Sequence, residues 1–401
     1  MATIVTRVRD RAPAPVPAPA PTRPPRIALF SGNYNYVRDG ANRALNRLVG
    51  DLEHRGARVR VYSPTAREPA FAPAGTLVSV PSVSLPGRGE YRLGLGLPRG
   101  VRADLRRFAP DLIHVSAPDW TGAAAQRFAR AERLPLIASL HTRFESYAAF
   151  YGAGLIRPLL ERHLERFYAR CDRVLVPTLP ILAEFVAAGA GERARLWSRG
   201  VDRAQFDPAR RDLGWRRARG IADDTCAILF FGRLVREKGV ADYADVIEAL
   251  ATAGVAVQPL VVGDGPELAA LRRRLPQAVM TGHLAGAELG RAVASADIFF
   301  NPSVTEAFGN VTLEAMAAGL PTVSVDVASA RALLGDNGLY YRRGDLAGAT
   351  EALARLTMFP DRRRLLGRRV RAASAGWSWE RASAMVWDAY HELLADHGSG
   401  R

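Results

Sequence analysis

The stretch Asn301-Pro-Ser-Val-Thr-Glu306-Ala-Phe308-Gly309-Asn310-Val311-Thr312-Leu-Glu314-Ala-Met-Ala-Ala-Gly319-Leu-Pro321 decides how the rest of the chain is read. The apolar run Ile298–Asn301 reads as a strand, the loop after it carries Glu306, and a helical pattern runs from Val311 to Ala318. Glycine at a helix start lets a ligand approach the backbone. The first amides of the helix, those of Asn310, Val311 and Thr312, have no acceptor inside it and form an anion site. Glu314 follows about one turn in, roughly 5–7 Å along the axis. A carboxylate does not bind phosphate, so Glu306 and Glu314 are suited to hydroxyl groups on either side of one. A hexose, a diphosphate and a ribose, joined in that order, fit this arrangement. The competing reading makes Glu306 a cap and Glu314 a solvated helix position.

Working outward, the same strand–turn–helix unit recurs. Strands are expected at Ile27–Phe30, Val59–Tyr62, Leu112–Val115, Leu136–Leu140 and Val174–Pro177, then again at Ala227–Phe231, Pro259–Val262, Val279–Thr281, Ile298–Asn301 and Thr322–Val325. Helical periods lie between them, the first through Ala44, Leu45, Leu48, Val49 and Leu52 to a stop at Gly56. Fully apolar strands alternating with helices give an α/β class with parallel sheets covered on both faces. The alternation breaks over Gly200–Gly220, rich in arginine and aspartate, which reads as a linker. The expected organisation is an Ala/Pro-rich extended tail over 1–25, a first domain over 26–203, a second over 204–376, and a final segment 377–401 whose helix Trp379–Leu394 has no strand after it. Two such sheets facing each other make a cleft, and ligands bind at the carboxyl ends of the strands.

Composition narrows the classes. The 401 residues are 48% hydrophobic and 24% charged, as in a globular chain long enough for two cores. Cys171 and Cys226 cannot build a disulfide framework, which points to a reducing compartment, and no apolar run approaches a membrane span. The tail has neither the apolar stretch nor the cleavage site of a signal peptide. The net charge of +15 fits an anionic partner or an arginine-rich composition, and both readings stay open. Against nucleic acid, the basic runs Arg272–Arg274 and Arg362–Arg364 lack interleaved aromatic platforms. No Asp-x-Asp pair is present to hold a metal on a diphosphate, and the 7 histidines show no ligand spacing, so neither metal nor cofactor is expected. Gly94-Leu-Gly96 and Gly263-Asp-Gly265 fail the dinucleotide fingerprint.

A second cluster, Phe231-Gly232-Arg233-Leu-Val-Arg-Glu-Lys238-Gly239, follows the first strand of the second domain. Arg233 and Lys238 can neutralise a diphosphate, and Lys238 is the only lysine in the chain. The Glu-x7-Glu spacing, with Gly-Arg-x4-Lys-Gly about seventy residues earlier, resembles the retaining glycosyltransferases of family 4, of the GT-B fold. Val262-Gly-Asp-Gly-Pro-Glu267, Trp197-Ser-Arg-Gly200-Val-Asp202 and Pro110-Asp-Leu-Ile-His-Val115 agree with it in order. The wording around Glu306 further resembles the branch of lipid-assembly mannosyltransferases and sulfolipid synthases. The resemblance implies two Rossmann-like domains facing a cleft, with the C-terminal helix crossing back to the first. It implies that Glu306 contacts the transferred hexose, Glu314 the ribose, and Arg233 and Lys238 the diphosphate, with Phe308 to Thr312 around them. It implies base contacts from Gly282, His283 and Leu284, largely through backbone, and donor contact from Gly40. His141, at the end of a strand, is implied to lie against the sugar. Gly32, Asn33, Tyr34 and Arg143 are candidates for the acceptor side.

Breaking a glycosyl–phosphate bond leaves charge on the departing diphosphate, so electrostatic catalysis by Arg233, Lys238 and the helix end is expected. No carboxylate suggests itself as a nucleophile on the opposite sugar face. The resemblance implies a front-face reaction. The expected partners are a nucleotide-sugar donor, with GDP-mannose preferred by the branch, and a lipid or lipid-linked acceptor at the cytoplasmic membrane face. The alternative is a soluble sugar phosphate or polysaccharide acceptor with a UDP-hexose donor. Two segments motivate contact with an anionic surface. One is the helix Leu155–Arg170, with Leu160, Leu164 and Phe167 on one stripe and Arg157, Arg162, Arg166 and Arg170 off it; the other is the apolar loop Leu85–Leu97.

Overall fold

The computed structural model describes residues 23–37, 39–85, 88–143 and 157–398. Expectations falling on residues 1–22, Arg38, Leu155 and Ile156 lie outside the described residues. Among the described residues the strands are β1 Arg26–Phe30, β2 Arg58–Ser63, β3 Thr76–Ser79, β4 Ser82–Leu85, β5 Arg88–Gly94, β6 Leu112–Val115, β7 Leu136–Ser139, β8 Arg173–Val176, β9 Ala194–Leu196, β10 Cys226–Phe231, β11 Val257–Val262, β12 Val279–Met280, β13 Ile298–Asn301, β14 Thr322–Val325 and β15 Leu339–Tyr341. The first sheet is 7-stranded in the order β3-β2-β1-β6-β7-β8-β9, and the second 6-stranded in the order β12-β11-β10-β13-β14-β15. Every pairing within these two sheets is parallel. Strand order reverses beside β1 in one sheet and beside β10 in the other, which opens a crevice at each switch point.

The central strands are buried on both faces, so their sequences are near-continuous apolar runs, as in Cys226-Ala-Ile-Leu-Phe-Phe231. Each sheet accordingly has a core on either side. In the first, Ala28, Phe30 and Ile113 face one core, while Ile27, Leu29 and Leu112 face the other. That other core is completed from the far end of the chain. Ala382, Val386, Ala389, Tyr390 and Leu393 of the helix Trp379–Gly398 pack with Leu45, Leu48 and Leu52 of the helix Gly40–His54. Ser383 Oγ donates to Asp51 Oδ2 at 2.6 Å across this contact. The last helix therefore belongs to the first domain by packing.

Three expectations are corrected. Leu85–Leu97 is not an apolar loop: β4 and β5 form an antiparallel pair there, and Leu97 is buried. The stripe Leu160, Leu164 and Phe167 faces the core, so it is not available to a lipid surface. Gly200–Gly220 is more than a linker, because it holds the helix Leu213–Arg217. There the fully buried Arg216 donates to Asp297 Oδ2 (2.9 Å) and to Ser295 O (2.8 Å), which fastens the segment to the second sheet.

Candidate active site

The two sheets face each other across a cleft of about 800 Å³. It is walled on one side by residues after β1, β7 and β9 and on the other by residues after β10, β11 and β13. The helices Gly40–His54 and Asn310–Ala317 meet end to end across it. A Cβ on Gly40 would crowd the Asn310 side-chain amide, so glycine lets the two helix ends approach without displacing it. Asp39 caps the first helix through Asn42 N (2.8 Å), and burial pushes its carboxyl pKa up. Gly309 caps the second in the left-handed region at φ +103°, and the first intrahelical bond runs from Leu313 N to Gly309 O at 3.1 Å. The amides of Asn310, Val311 and Thr312 precede that bond and point into the cleft end. The buried Oγ of Ser303 and Oδ1 of Asn310 make no hydrogen bond among the described residues, which leaves them for a ligand.

The charged groups of the second domain gather around this helix end. Lys238 Nζ donates to Glu306 Oε1 at 2.7 Å, with both side chains largely buried. Arg233 donates to the hydroxyl of Tyr91, on β5, at 2.7 Å, a bond that spans the two domains. Glu314 lies one turn into the helix. Burial raises its carboxyl pKa to about 7, and Arg43 of the first domain works against that rise. His283, Leu284, Phe308, Gly309 and Val311 line the same cleft. Gly282 lies behind it, accepting from Gly263 N at 2.9 Å, and the Thr312 side chain is buried against Asn301. Among the described residues, His, Cys, Asp and Glu form no group of three or more that could hold a metal ion.

The first domain presents a different kind of site. His141 lines the cleft, yet both its ring nitrogens are engaged. Arg199 donates to Nδ1 at 3.0 Å, and Nε2 lies 2.8 Å from Ser139 Oγ. An arginine only donates, so Nδ1 accepts and the proton sits on Nε2. Ser139 Oγ receives that proton's bond and donates in turn to His114 Nε2 at 2.8 Å, and His114 Nδ1 donates to Tyr390 Oη at 2.7 Å. Burial, with help from Arg199, holds the His141 imidazole well below its usual pKa, and burial takes His114 to about 3. Arg199 itself is buried, stacks 4.4 Å from the Trp197 ring centroid, and donates to Trp197 O at 2.9 Å. Desolvation lowers its pKa to about 9. The sequence reading passed over Arg199, because arginine reads as a surface residue. Its place in Trp197-Ser-Arg-Gly200, directly after a strand, was the available signal.

The acceptor-side candidates fare unevenly. Tyr34 is fully buried, with its hydroxyl on Ala74 O at 2.9 Å, and is a core residue. Gly32 and Asn33 do not line the cleft: the Gly32 carbonyl accepts from Tyr36 Oη at 2.9 Å, and Asn33 Nδ2 reaches Asp39 Oδ2 at 3.4 Å. Arg143 stands outside it as well, ion-paired to Glu184 at 2.8 Å.

Residues 38–205 match the family described as Glycosyltransferase Family 4, and residues 225–358 match the one described as Glycosyl transferases group 1. A GDP-mannose-dependent alpha-mannosyltransferase of Corynebacterium glutamicum is 28% identical over 94% of this chain and 89% of its own length. A sulfoquinovosyl transferase of Arabidopsis thaliana is 30% identical over 91% of this chain and 73% of its own. An alpha-monoglucosyldiacylglycerol synthase of Acholeplasma laidlawii is 24% identical over 80% and 85%. Among solved structures, a sucrose-phosphate synthase from Thermosynechococcus elongatus superposes with a TM-score of 0.75 at 19% identity, over 93% of this chain and 100% of that one, and shares the fold.

Proposed function

The chain belongs to glycosyltransferase family 4, and on that premise we propose that it moves a hexose, with retention, from a GDP-hexose to a lipid or lipid-linked acceptor at the cytoplasmic membrane face. The observation that carries the reading is the convergence of Arg233, Lys238 and the amide end of Asn310–Ala317, with Glu306 on one side and Glu314 on the other. A bound diphosphate takes Lys238 over from Glu306, which frees that carboxylate to accept hydroxyls of the hexose. Glu314 and the turn His283-Leu284 hold the nucleoside. As the C1–oxygen bond to the β-phosphate breaks, charge grows on the leaving diphosphate, and the two cations and the helix end stabilise it. The acceptor oxygen bonds to C1 on the same face, and its proton passes to the departing phosphate oxygen.

His141, with both ring nitrogens engaged, serves this reaction as a rigid wall of the sugar site, set in place by Arg199. The lipid acceptor is supported by the relatives' names and by exposed apolar side chains at one edge of the first domain. Leu95, Trp120 and Leu159 are 50%, 60% and 70% exposed. They are gathered where Gly96 passes the Trp120 carbonyl and where His163 reaches Pro118 O at 3.1 Å. Among the described residues no helix is long and apolar enough to cross a membrane.

The test is incubation with radiolabelled GDP-mannose or UDP-glucose and either a glycolipid extract or soluble sugar phosphates. Label from GDP-mannose entering the organic phase as an α-linked product is expected, with turnover kept within a few-fold in EDTA. Label only in soluble products sinks the lipid reading; an inverted anomer sinks retention; inactivation by EDTA that Mg²⁺ reverses sinks the metal-free electrostatics. Sedimentation with anionic liposomes at low salt, weakened by charge reversal at the exposed Arg162 and Arg166, tests the membrane surface.

A further inference from the structure

The cleft continues past the turn His283-Leu284 into a side cavity of about 390 Å³. Its walls are Arg43, Asn46 and Arg47 of the helix Gly40–His54, the segment Ala70-Phe71, and Ala285 of the second domain. Arg43 and Arg47 line the cleft and the cavity alike. Their i, i+4 spacing sets them on one helix face, in line with Gly40, the face turned to the second domain.

The far wall is built by directed bonds. The Asn46 side chain donates to Ala72 O (3.2 Å) and accepts from Ala74 N (2.7 Å), while the Asn35 backbone carbonyl accepts from Ala70 N (2.8 Å) and its side chain donates to Phe71 O (3.3 Å). Two buried or half-buried amides thus hold Phe71 beside the arginines. Neither guanidinium makes a side-chain hydrogen bond or ion pair among the described residues; Arg43 acts on the Glu314 carboxyl and Arg47 on that of Glu380 only at a distance. Two guanidinium forks therefore open on a cavity that adjoins the nucleoside end of the cleft.

We propose that this cavity receives the base of the donor and that the base is guanine, with Arg47 reading its edge while Arg43 holds the ribose together with Glu314. The inference rests on the reading above that the donor is a nucleoside diphosphate sugar. A ribose on Glu314 and a base leaving the turn at Leu284 point into the space bounded by Ala285. An arginine fork only donates, and guanine alone sets two acceptors, O6 and N7, side by side at its spacing. Adenine places an amino group next to N7, and uracil offers a single carbonyl at that edge and leaves the cavity part-filled.

The experiment is calorimetry of the full chain with GDP, UDP, ADP and 7-deaza-GDP, which lacks N7. GDP is expected to bind tightest, 7-deaza-GDP about 10-fold more weakly, and Arg47→Ala to lose about 10-fold for GDP with UDP changed less than threefold. Arg47→Lys, which keeps charge and stem but not the fork, is expected to lose selectivity as Arg47→Ala does. Equal losses for GDP and UDP, or 7-deaza-GDP binding as well as GDP, overturn the proposal. Tighter binding of UDP than GDP overturns the donor reading itself, whereas GDP preference with an indifferent Arg47 overturns this inference alone.

Discussion

His141 in the first domain and Lys238 in the second both follow a parallel strand and face the same cleft, yet their bonding differs in kind. The His141 ring is fixed through Arg199 on one side and through Ser139, His114 and Tyr390 on the other, a buried chain that ends on the last helix. Lys238 is paired with Glu306 at the cleft surface, the bond that the proposed diphosphate exchanges. One wall of the cleft is locked from behind, while the other holds charges paired for exchange. Shape is assigned to the first domain and charge to the second by what each side chain is bonded to, before any ligand is present.

The contrast breaks most easily at the exchangeable side. Lys238→Ala is expected to lower turnover about 100–1000-fold, the size seen when one preorganised donor to a developing anion is removed, with the chain still folded though less stable, because Glu306 loses its partner. Steady-state rates on a folded variant decide it, and a loss under tenfold would place the diphosphate elsewhere. Glu306→Ala should cost roughly 1.5–3 kcal/mol of transition-state binding while leaving nucleoside diphosphate affinity intact. A fall in that affinity would mean that the two glutamates have exchanged roles.

Smaller effects sharpen the same comparison. The Glu314 carboxyl is raised from 4.5 to about 7, so the folded chain binds more protons than the unfolded one between those values. Stability contributed by this group is therefore fully present below about pH 4.5 and lost as pH rises towards 7. Glu314→Gln should remove that part of the slope and raise the melting temperature near pH 7.5 by about 2–6 °C. Equal slopes for both proteins would show that the carboxyl is not desolvated. On the locked side, Tyr390→Phe deletes one buried hydrogen bond and should cost about 1 kcal/mol in urea unfolding, with turnover within a few-fold because Arg199 still orients His141. A large loss of turnover would show that the whole chain, and not Arg199 alone, positions the ring.

What could be read from the sequence follows the physics of burial. β1, β10 and β13 carry near-continuous apolar runs with both faces covered, and such runs announce themselves, while β6 and β14 keep the pattern with one or two small or buried polar residues in it. The edge strands β3, β9 and β15 are short and half-exposed, so Thr76-Leu-Val-Ser79 carries no comparable pattern. The charged site was legible because the helix end, Glu306 and Glu314 fall within one stretch and Lys238 stands out by type. Tyr34 reads as an acceptor-side residue and Arg199 carries no site signal for one reason: a polar side chain in a sequence reads as facing water or ligand. Tyr34 instead spends its hydroxyl on Ala74, forty residues on, and Arg199 on a histidine fifty-eight residues back. Such pairings arise only from the folded topology.

The helix Trp379–Gly398 follows both sheets in the chain, yet it completes the first of them. During synthesis the opening sheet emerges with only the helix Gly40–His54 over this side, and the rest of its cover comes only after the second sheet has been made. The second sheet can close its own layers while the first waits, so the order of completion reverses the order of translation. A gene divided between the two sheets would separate the opening half from its own cladding. A chimera that exchanges acceptor halves between relatives must accordingly carry two cuts, taking the closing segment along with the opening one.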